Sequence, residues 1–451
     1  MFSDATLPEA GRRARQRAAG HLLPYLFVLY IIAFLDRMNV GAAALQMPGD
    51  LGFNDRVIGL GSGIFFLGYF LLEIPGALIV ERWSARKWIA RIMISWGIFT
   101  IWMAFIHTSR QFYLVRFLVG AAEAGFFPGI IVYLTHWFRY EDRAKAVAFF
   151  YAAMPLSFVI GSPLAGWLMG MSWWGVRGWR WLFIVEGIPA ILFGVITIFY
   201  LTDWPHEARW LRQDERDWIT GELEREKQRK EQVRSYSTWE ALRHRDVILL
   251  TLCYFFAVTG NYGLAFWLPT ILKRLSGHSD LVVTTLAALP YLAGFVTQQL
   301  TAWHSDRTQE RRWHAAVPLL CGGASLALAV YFGSNTALSV TMFTLVGASY
   351  FPYIPVFWAI PTMFLTRSAA AASIGLINSV GNLGGFVGPM VMGYLVHRTH
   401  SFTAGLLYLV SSFTVAAVLM LSVGTKHGHA VAEETPDAPT APAVVARAGD
   451  Q

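Results

Sequence analysis

The stretch Glu81-Arg82-Trp83-Ser84-Ala85-Arg86-Lys87-Trp88 lies between two apolar runs, and an altered copy, Asp306-Arg307-Thr308-Gln309-Glu310-Arg311-Arg312-Trp313, lies between two others. An offset of 225 residues places acid on acid, arginine on arginine, two basic residues on two basic residues and tryptophan on tryptophan. The repetition predicts two homologous halves. Halves repeated around a site at the membrane midplane are a trait of transporters.

The apolar runs on either side of these stretches are long enough to cross a bilayer. Of the 451 residues, 55% are hydrophobic and 14% are charged, with a mean hydropathy of +0.44. A helix needs about 20 apolar residues to span the hydrocarbon core. This composition excludes a soluble multidomain enzyme. The sequence predicts twelve spans, at 22–45, 57–80, 88–106, 112–137, 144–170, 180–201, 247–272, 281–303, 314–333, 337–362, 368–397 and 402–423.

The spans predict an all-α polytopic membrane protein with twelve transmembrane helices in two six-helix bundles. The linker between the bundles holds ten Lys/Arg and eleven Asp/Glu, and the tail is rich in Pro and small residues, so we expect the tail to be disordered. The predicted regions are a cytoplasmic N-terminal segment at 1–21, the N-terminal bundle at 22–201, the cytoplasmic linker at 202–246, the C-terminal bundle at 247–423 and the cytoplasmic tail at 424–451.

The distribution of basic residues predicts the orientation. The net charge of +7 comes from arginines and lysines in short loops, a pattern of membrane topology and not of nucleic-acid binding. With the central linker left out because its charges balance, fourteen of these residues lie in the N-terminal segment and the other even-numbered loops, against seven in the odd-numbered loops. Both termini are therefore predicted to be cytoplasmic.

The repeated stretch has a plausible mechanical role. A carboxylate at one helix end accepts hydrogen bonds from a neighbouring helix and can act as a latch that opens once per transport cycle. The alternative is that the basic residues are only positive-inside anchors. The matched spacing of the two copies favours the latch, with Glu81, Arg82 and Arg86 in the first copy and Asp306, Arg307 and Arg311 in the second.

Several motifs resemble those of a known family. The chain resembles the major facilitator superfamily through Gly76-Ala77-Leu78 followed by Glu81-Arg82 and Arg86-Lys87. Within it, Leu35-Asp36-Arg37-Met38-Asn39 and the run from Arg116 to Gly129 resemble the anion:cation symporter family, with a pattern closest to bacterial tartrate-type and aromatic-acid permeases. The resemblance implies the major facilitator fold. Thr301 departs from it, since the second loop copy would carry a glycine there.

Charged residues inside the predicted spans are the main site candidates, because each costs about 2.5 to 3.5 kcal/mol on insertion scales. Asp36 and Arg37 lie in the first span, and Arg116 and Glu123 lie in the fourth, seven residues apart on one helix face. Two arginines converging on a cavity would bind a carboxylate. The alternative is a structural salt bridge of Asp36 with Arg37 or Arg116.

Glu123 is the first candidate for the proton carrier and Asp36 the second, because substrate charge near a buried carboxylate can switch its protonation. The resemblance implies the same roles, with proton coupling at Asp36 and Glu123 and substrate binding at Arg37 and Arg116. A helix-to-helix hydrogen bond is the alternative role for Glu123. The roles of Glu73 and Glu186, close to Pro75 and Pro189, stay open.

Polar residues supply the remaining substrate-binding candidates. Tyr69 belongs to the Gly68-Tyr69-Phe70 motif of the second span, and Asn378 and Asn382 lie one turn apart in a Gly-rich part of the eleventh. These groups could hydrogen-bond the hydroxyls or ring of a substrate whose carboxylate the arginines hold. Helix packing is an equally good explanation for any one of the amides.

These features predict a proton-coupled symporter that imports a small organic anion by alternating access, as a monomer in the inner membrane of a bacterium. The proton gradient is the energy source, and no cofactor or metal site is expected. The sequence lacks a GxxxxGK[ST] loop, an HExxH motif and a nucleophile with a base, which argues against ATP drive and against an enzyme. An exporter or antiporter remains the alternative, and tartrate-like, sugar-acid and aromatic-acid substrates all remain open.

Overall fold

The structure is a computed structural model, and it describes residues 7–231, 243–333, 335–361 and 367–424. Besides a linker helix, the chain within these ranges forms the twelve helices of the two bundles, two of them in two segments. They are α1 Glu9–Ala43, α2 Asp55–Arg82, α3 Ala85–Met103, α4 Ser109–Glu123 with Phe126–Thr135, α5 Tyr140–Tyr151 with Ala153–Met169, α6 Gly178–Tyr200, α7 Arg245–Ser276, α8 Asp280–Thr308, α9 Arg312–Tyr331, α10 Thr336–Ala359, α11 Arg367–Thr399 and α12 Thr403–Leu421.

Eleven of the described helices are long and apolar enough to cross a membrane. The twelfth, α3, has a basic first half that contains Arg86, Lys87 and Arg91. The Arg91 guanidinium lies 3.9 Å from the centre of the Trp88 ring, so the charge is held at the helix end beside an aromatic side chain. The predicted fold class, an all-α polytopic membrane protein with two bundles, is confirmed.

The helices of the two halves pair in the same way. In the first half α1 packs against α5, α2 against α4 and α3 against α6; in the second half α7 packs against α11, α8 against α10 and α9 against α12. These are the same pairs moved along by six helices. The internal repeat of the sequence therefore corresponds to a repeat of three-dimensional packing.

The two bundles meet along three helix pairs, α2 with α11, α5 with α8 and α1 with α7. At the predicted periplasmic end, Gln46 Nε2 donates to Asp280 Oδ2 over 2.9 Å, and Arg274 forms an ion pair with Asp55. Each of these contacts joins one bundle to the other. They close the molecule at the end where the odd-numbered loops lie.

Helix α1 begins at Glu9, well before the predicted start at Leu22, so the described part of the N-terminal segment extends the first span as a helix. This extension carries Arg13 and Arg17, which both form ion pairs with the fully buried Glu215 of the linker helix Gln213–Glu231. Arg15 forms an ion pair with Asp142 at the start of α5. The linker helix therefore docks on the N-terminal bundle.

Some predicted features lie outside the described residues. These are residues 232–242 of the linker, residues 425–451 of the predicted tail, and the side chains of Glu81 and Arg82 in the first loop copy.

The crossing of α2 and α4 is close because each helix has a glycine at the contact. A Cβ atom at Gly120 would lie 1.9 Å from the backbone oxygen of Phe65, and one at Gly68 would lie 2.3 Å from the backbone oxygen of Phe117. Both glycines belong to motifs noted in the sequence. Their lack of a side chain lets α2 and α4 approach at the depth where the charged residues lie.

We expect Gly120→Ala to destabilise the protein by about 1–3 kcal/mol, because the new methyl group would push α2 and α4 apart. Thermal unfolding in detergent, followed by size-exclusion chromatography, would measure the loss. Gly20→Ala in α1 is the matched control, since a Cβ atom there meets nothing within 4 Å. Equal unfolding temperatures for the two variants would contradict this account of the crossing.

Candidate functional site

The centre of the N-terminal bundle holds a buried ion pair. Arg37 Nη2 of α1 donates to Glu123 Oε1 of α4, and the carboxylate side chain is 1% exposed. Helix α4 is interrupted directly after this glutamate, since its first segment ends at Glu123 and Gly125 adopts a φ of 85°. Arg37 and Glu123, two of the charged residues predicted to form the site, are therefore in direct contact.

Aromatic rings surround the Arg37 guanidinium. Its central carbon lies 4.8 Å from the centre of the Phe34 ring and 5.3 Å from the centres of the Phe65 and Tyr69 rings. Tyr262 of α7 receives a longer hydrogen bond of 3.4 Å from Arg37 Nη1. The C-terminal bundle thus contacts the arginine directly, and the rings stabilise its charge by cation–π interaction.

Arg116 is the second arginine of the cluster, and it makes fewer contacts. Its side chain is buried, its guanidinium lies 5.0 Å from the centre of the Phe65 ring, and Nε donates to the backbone oxygen of Gly61 over 3.3 Å. Nη2 is buried and has no hydrogen-bond partner among the described residues. A buried guanidinium with a free donor is suited to binding an anion.

The side chain of Asp36 contacts a different helix from that of its neighbour Arg37. Its Oδ2 accepts a 2.7 Å hydrogen bond from the indole Nε1 of Trp96 on α3, and Oδ1 has no partner among the described residues. The salt bridge of Asp36 with Arg37 or Arg116, one alternative of the sequence analysis, does not form. Asp36 still acts electrostatically on Arg116 and Glu123, so the four charged residues form one coupled group.

The asparagine and tyrosine candidates lie at the interface between the bundles. Tyr69 is buried beside Arg37, and Asn378 of α11 donates a hydrogen bond to Glu73 of α2. Glu73 also accepts from Ser379 over 3.2 Å, and its carboxylate acts electrostatically on Arg37. Asn382 is half-buried one turn further along α11, and its side chain forms no hydrogen bond with Arg37 or Arg116. Glu73 therefore connects the two bundles near the site.

The latch residues contact their own halves. In the first copy, Arg86 N donates to Asp203 Oδ1 over 2.8 Å, and Ser84 Oγ donates to Asp203 Oδ2 over 2.7 Å. Asp203 follows α6, so a carboxylate does tie the loop to a neighbouring helix end. The sequence analysis did not select Asp203 as a latch partner.

In the second copy, Arg311 forms an ion pair of 2.6 Å with Asp306 and donates to Ser305 Oγ over 3.0 Å. The Arg307 guanidinium lies over the Trp303 ring, 5.6 Å from its centre. These contacts are all local. Among the described side chains, neither copy makes a polar contact with the opposite bundle.

Several site residues were not selected from the sequence. Trp96, Phe65 and Phe34 are among the many aromatic residues of the spans, and nothing in their spacing distinguishes them from lipid-facing rings. Glu73 was noted without a role, although its position as an acid inside an apolar span was a usable signal.

Two helix bundles that enclose a buried cluster of charged side chains define a membrane transporter. The family model described as Major Facilitator Superfamily matches residues 26–389, and the chain belongs to that superfamily. It is a multi-pass transporter and not an enzyme, and the resemblance seen in the sequence is confirmed.

Comparison with individual proteins agrees with this assignment. The chain is 44% identical over 425 residues, with 94% of each chain covered, to the "Putative tartrate transporter" of Agrobacterium vitis. It is 40% identical over 395 residues, covering 86% of this chain and 89% of the relative, to the "Quinolone resistance transporter" of Acinetobacter baumannii. A solved structure of a bacterial homolog of the human lysosomal transporter Spinster, inward-facing and unoccupied, has the same fold with a TM-score of 0.70, 18% identity and coverage of 91% and 95%.

We expect Asp36→Leu to be less stable than Asp36→Asn by about 1–3 kcal/mol. Both changes remove the charge, but leucine leaves the buried Trp96 N–H without an acceptor, whereas asparagine keeps an acceptor oxygen. Thermal unfolding of the two purified variants in detergent would compare them. Equal stability would mean that the Trp96 hydrogen bond does not hold α1 against α3.

Proposed function

We propose that this transporter is a proton-coupled symporter that imports a small organic anion by alternating access. The contact between Arg37 and Glu123 carries the proposal. An incoming carboxylate would need the same guanidinium that the glutamate holds. Substrate and proton therefore act on one ion pair.

Competition between Glu123 and the substrate carboxylate for Arg37 couples proton transport to anion transport. A proton on Glu123 removes its negative charge and weakens its bond to Arg37, which leaves the guanidinium free for a carboxylate. When the anion leaves toward the cytoplasm, Arg37 again attracts Glu123, and the glutamate releases its proton. Proton binding thus favours anion binding, and neither moves efficiently alone.

The surrounding groups favour a carboxylate with further polar or ring atoms. Arg116 offers a buried donor without a partner, and Tyr262 offers a hydroxyl group from the opposite bundle. Asn378 and Tyr69 lie beside them at the interface. The name of the 44% identical relative, which mentions tartrate, agrees with a dicarboxylate substrate. Sugar acids and aromatic acids satisfy the same set of contacts.

Proton cotransport also supplies the free energy needed to import an anion against the membrane potential. A membrane potential that is negative inside opposes anion entry by about 2.3 kcal/mol per charge per 100 mV. Cotransport of enough protons to neutralise the substrate removes this opposition, and at least one proton beyond neutrality makes uptake electrogenic, so that the potential also drives it. We propose that the protein works as a monomer in the inner membrane of a bacterium, with both termini in the cytoplasm.

The contacts between the bundles support alternating access. Gln46 with Asp280 and Asp55 with Arg274 join the bundles at the predicted periplasmic end. These pairs would have to separate for substrate to enter from the periplasm. Glu73 with Asn378 lies nearer the site and would change as α2 and α11 move.

A proton-coupled exporter or antiporter is the second candidate. The observation in its favour is the 40% identity to a protein named for quinolone resistance. The same ion pair would serve, but protons and organic anion would cross in opposite directions.

Transport in liposomes distinguishes these functions. Purified protein is reconstituted with a pH-sensitive dye in the lumen and tested with tartrate, galactonate, glucarate, phthalate and hydroxyphenylacetate. We expect one of these anions, added outside, to acidify the lumen, and Glu123→Gln and Arg116→Ala to abolish the signal. Alkalinisation on anion entry would indicate antiport.

Two exposed residues serve as matched controls, Glu141→Gln for the glutamate and Arg110→Ala for the arginine. Both controls should acidify the lumen as the wild type does. Normal proton-driven accumulation by Glu123→Gln would overturn its role in coupling.

Binding measured against pH tests the competition itself. We expect wild-type affinity for the transported anion to fall as pH rises, because deprotonated Glu123 occupies Arg37. Glu123→Gln should bind about tenfold more tightly at high pH, and its affinity should not change with pH. Isothermal titration calorimetry in detergent would measure both. A parallel pH dependence in the two proteins would show that Glu123 does not compete with the substrate.

A further inference from the structure

A second group of buried polar residues lies beside the Arg37 site and has no role in the steps described so far. A cavity between the bundles is lined by Asn39 of α1, Glu186 of α6, Phe158 of α5 and Tyr291 of α8. Phe158 and Tyr291 stack across the bundle interface with ring centres 4.1 Å apart. Arg37, Arg116 and Glu123 are not among the lining residues, so this cavity is separate from the arginine cluster.

The polar groups that face this cavity are unusually short of partners. Glu186 is 5% exposed and Asn39 is 3% exposed. The Asn39 side chain lies close to the Glu186 carboxyl group, but Glu186 Oε2 and both amide atoms of Asn39 form no well-aligned hydrogen bond among the described residues. A neutral amide in poor hydrogen-bond geometry offsets little of the cost of burying a carboxyl group, so the contact between α1 and α6 alone does not explain this acid.

The charges around Glu186 leave it without a cation. No basic side chain of the described residues forms a salt bridge with it, and Asp36 of α1 is the ionisable group that acts on it. Of the helices packed against α6, α5 contributes Phe158 and Ser157 to the cavity lining, and α3 carries Trp96, which donates a hydrogen bond to Asp36. Arg180, on α6 itself, instead donates to the backbone oxygen of Ala104.

Asn39 lies near both acids. Asp36 and Asn39 are three residues apart on α1 and therefore share a face, and Asn39 is close enough to act on the Glu186 carboxyl group. Asp36 is 1% exposed and does not line the cavity. Glu186 is thus the acid between the cavity and Asp36.

We propose that Glu186 is a proton-binding residue that loads the transporter from the cavity and delivers the proton to Asp36, with Asn39 as the residue that positions the two acids. The inference rests on the proposed proton symport and names the route of its proton. A proton from water bonds to a Glu186 carboxyl oxygen. That O–H bond then breaks as the proton moves to the Asp36 carboxylate, and Glu186 recovers its charge. One proton is transferred, and no other reactant is needed.

The route explains why a buried acid without a cation is tolerated. An uncompensated carboxylate inside the protein is costly, and a bound proton removes that cost. Asp36, unlike Glu186, has an indole donor, Trp96, and a nearby cation, Arg116, which offset part of the cost of burying it, whereas Glu123 adds to that cost. The proton therefore moves on to Asp36 only when the charges around Arg116 and Glu123 change, as they do when substrate binds.

The test separates proton coupling from substrate exchange. Proteoliposomes with wild type, Glu186→Gln or Glu186→Asp take up labelled tartrate in two assays, accumulation driven by a pH gradient and counterflow at equal pH. Counterflow needs substrate binding and bundle movement but no net proton release. We expect Glu186→Gln to lose about tenfold or more of its driven accumulation and to keep its counterflow. Glu186→Asp should recover part of the accumulation, because it restores an acid.

Each other result overturns the inference in a recognisable way. Driven accumulation at the wild-type level in Glu186→Gln would remove Glu186 from the proton route while leaving the proposed symport intact. Equal loss of counterflow and accumulation in both variants would mean that Glu186 only supports packing. Counterflow without any driven accumulation in the wild type would instead defeat the proposed symport itself. Glu141→Gln is the control for a change of charge at an exposed site.

Discussion

The ion pair between Arg37 and Glu123 is the constraint on which the rest of the site depends. A guanidinium inside a membrane protein is tolerated only where charges, rings or backbone oxygens surround it. Here α4 supplies the carboxylate, α2 supplies Phe65 and Tyr69, and α7 supplies the Tyr262 hydroxyl. Both bundles therefore converge on one side chain of α1. Any change in the charge of Glu123 is felt by the N-terminal bundle and by its interface with the C-terminal bundle.

The close crossing of α2 and α4 makes this convergence possible. Gly68 and Gly120 bring the two backbones together, and the break after Glu123 ends the first segment of α4 at the carboxylate. A discontinuous helix at a central site is found in other transporters, where the freed backbone groups line a binding cavity. The glycines of the motifs and the charged residues beside them thus form one arrangement. The glycines allow α2 and α4 to approach closely, and this close approach brings the charged side chains and the aromatic rings around them together.

The sequence was sufficient for the fold and for the identity of the charged residues, since an acid or an arginine in a long apolar span is conspicuous. It was not sufficient for their partners. Asp36 and Arg37 are neighbours in the chain, but successive helical residues point about 100° apart, so one faces Trp96 and the other faces Glu123. Asn378 reaches Glu73 across 305 positions, and no local pattern reports such a contact. Asp203 lies just past the end of α6, where periodicity has ended and a carboxylate looks like any other of the charged linker.

The linker helix is attached to the N-terminal bundle, so the two halves of the molecule are not equivalent. Glu215 is held by Arg13 and Arg17 of the α1 extension, and Arg143 of α5 forms an ion pair with Glu226 over 3.2 Å. The linker helix is therefore mechanically part of the N-terminal bundle, although the chain order places it between the two. In the proposed movement of the bundles, this helix moves together with the N-terminal bundle. The two halves therefore differ in what is attached to them, and the pseudo-symmetry of the twelve membrane helices does not extend to the linker helix.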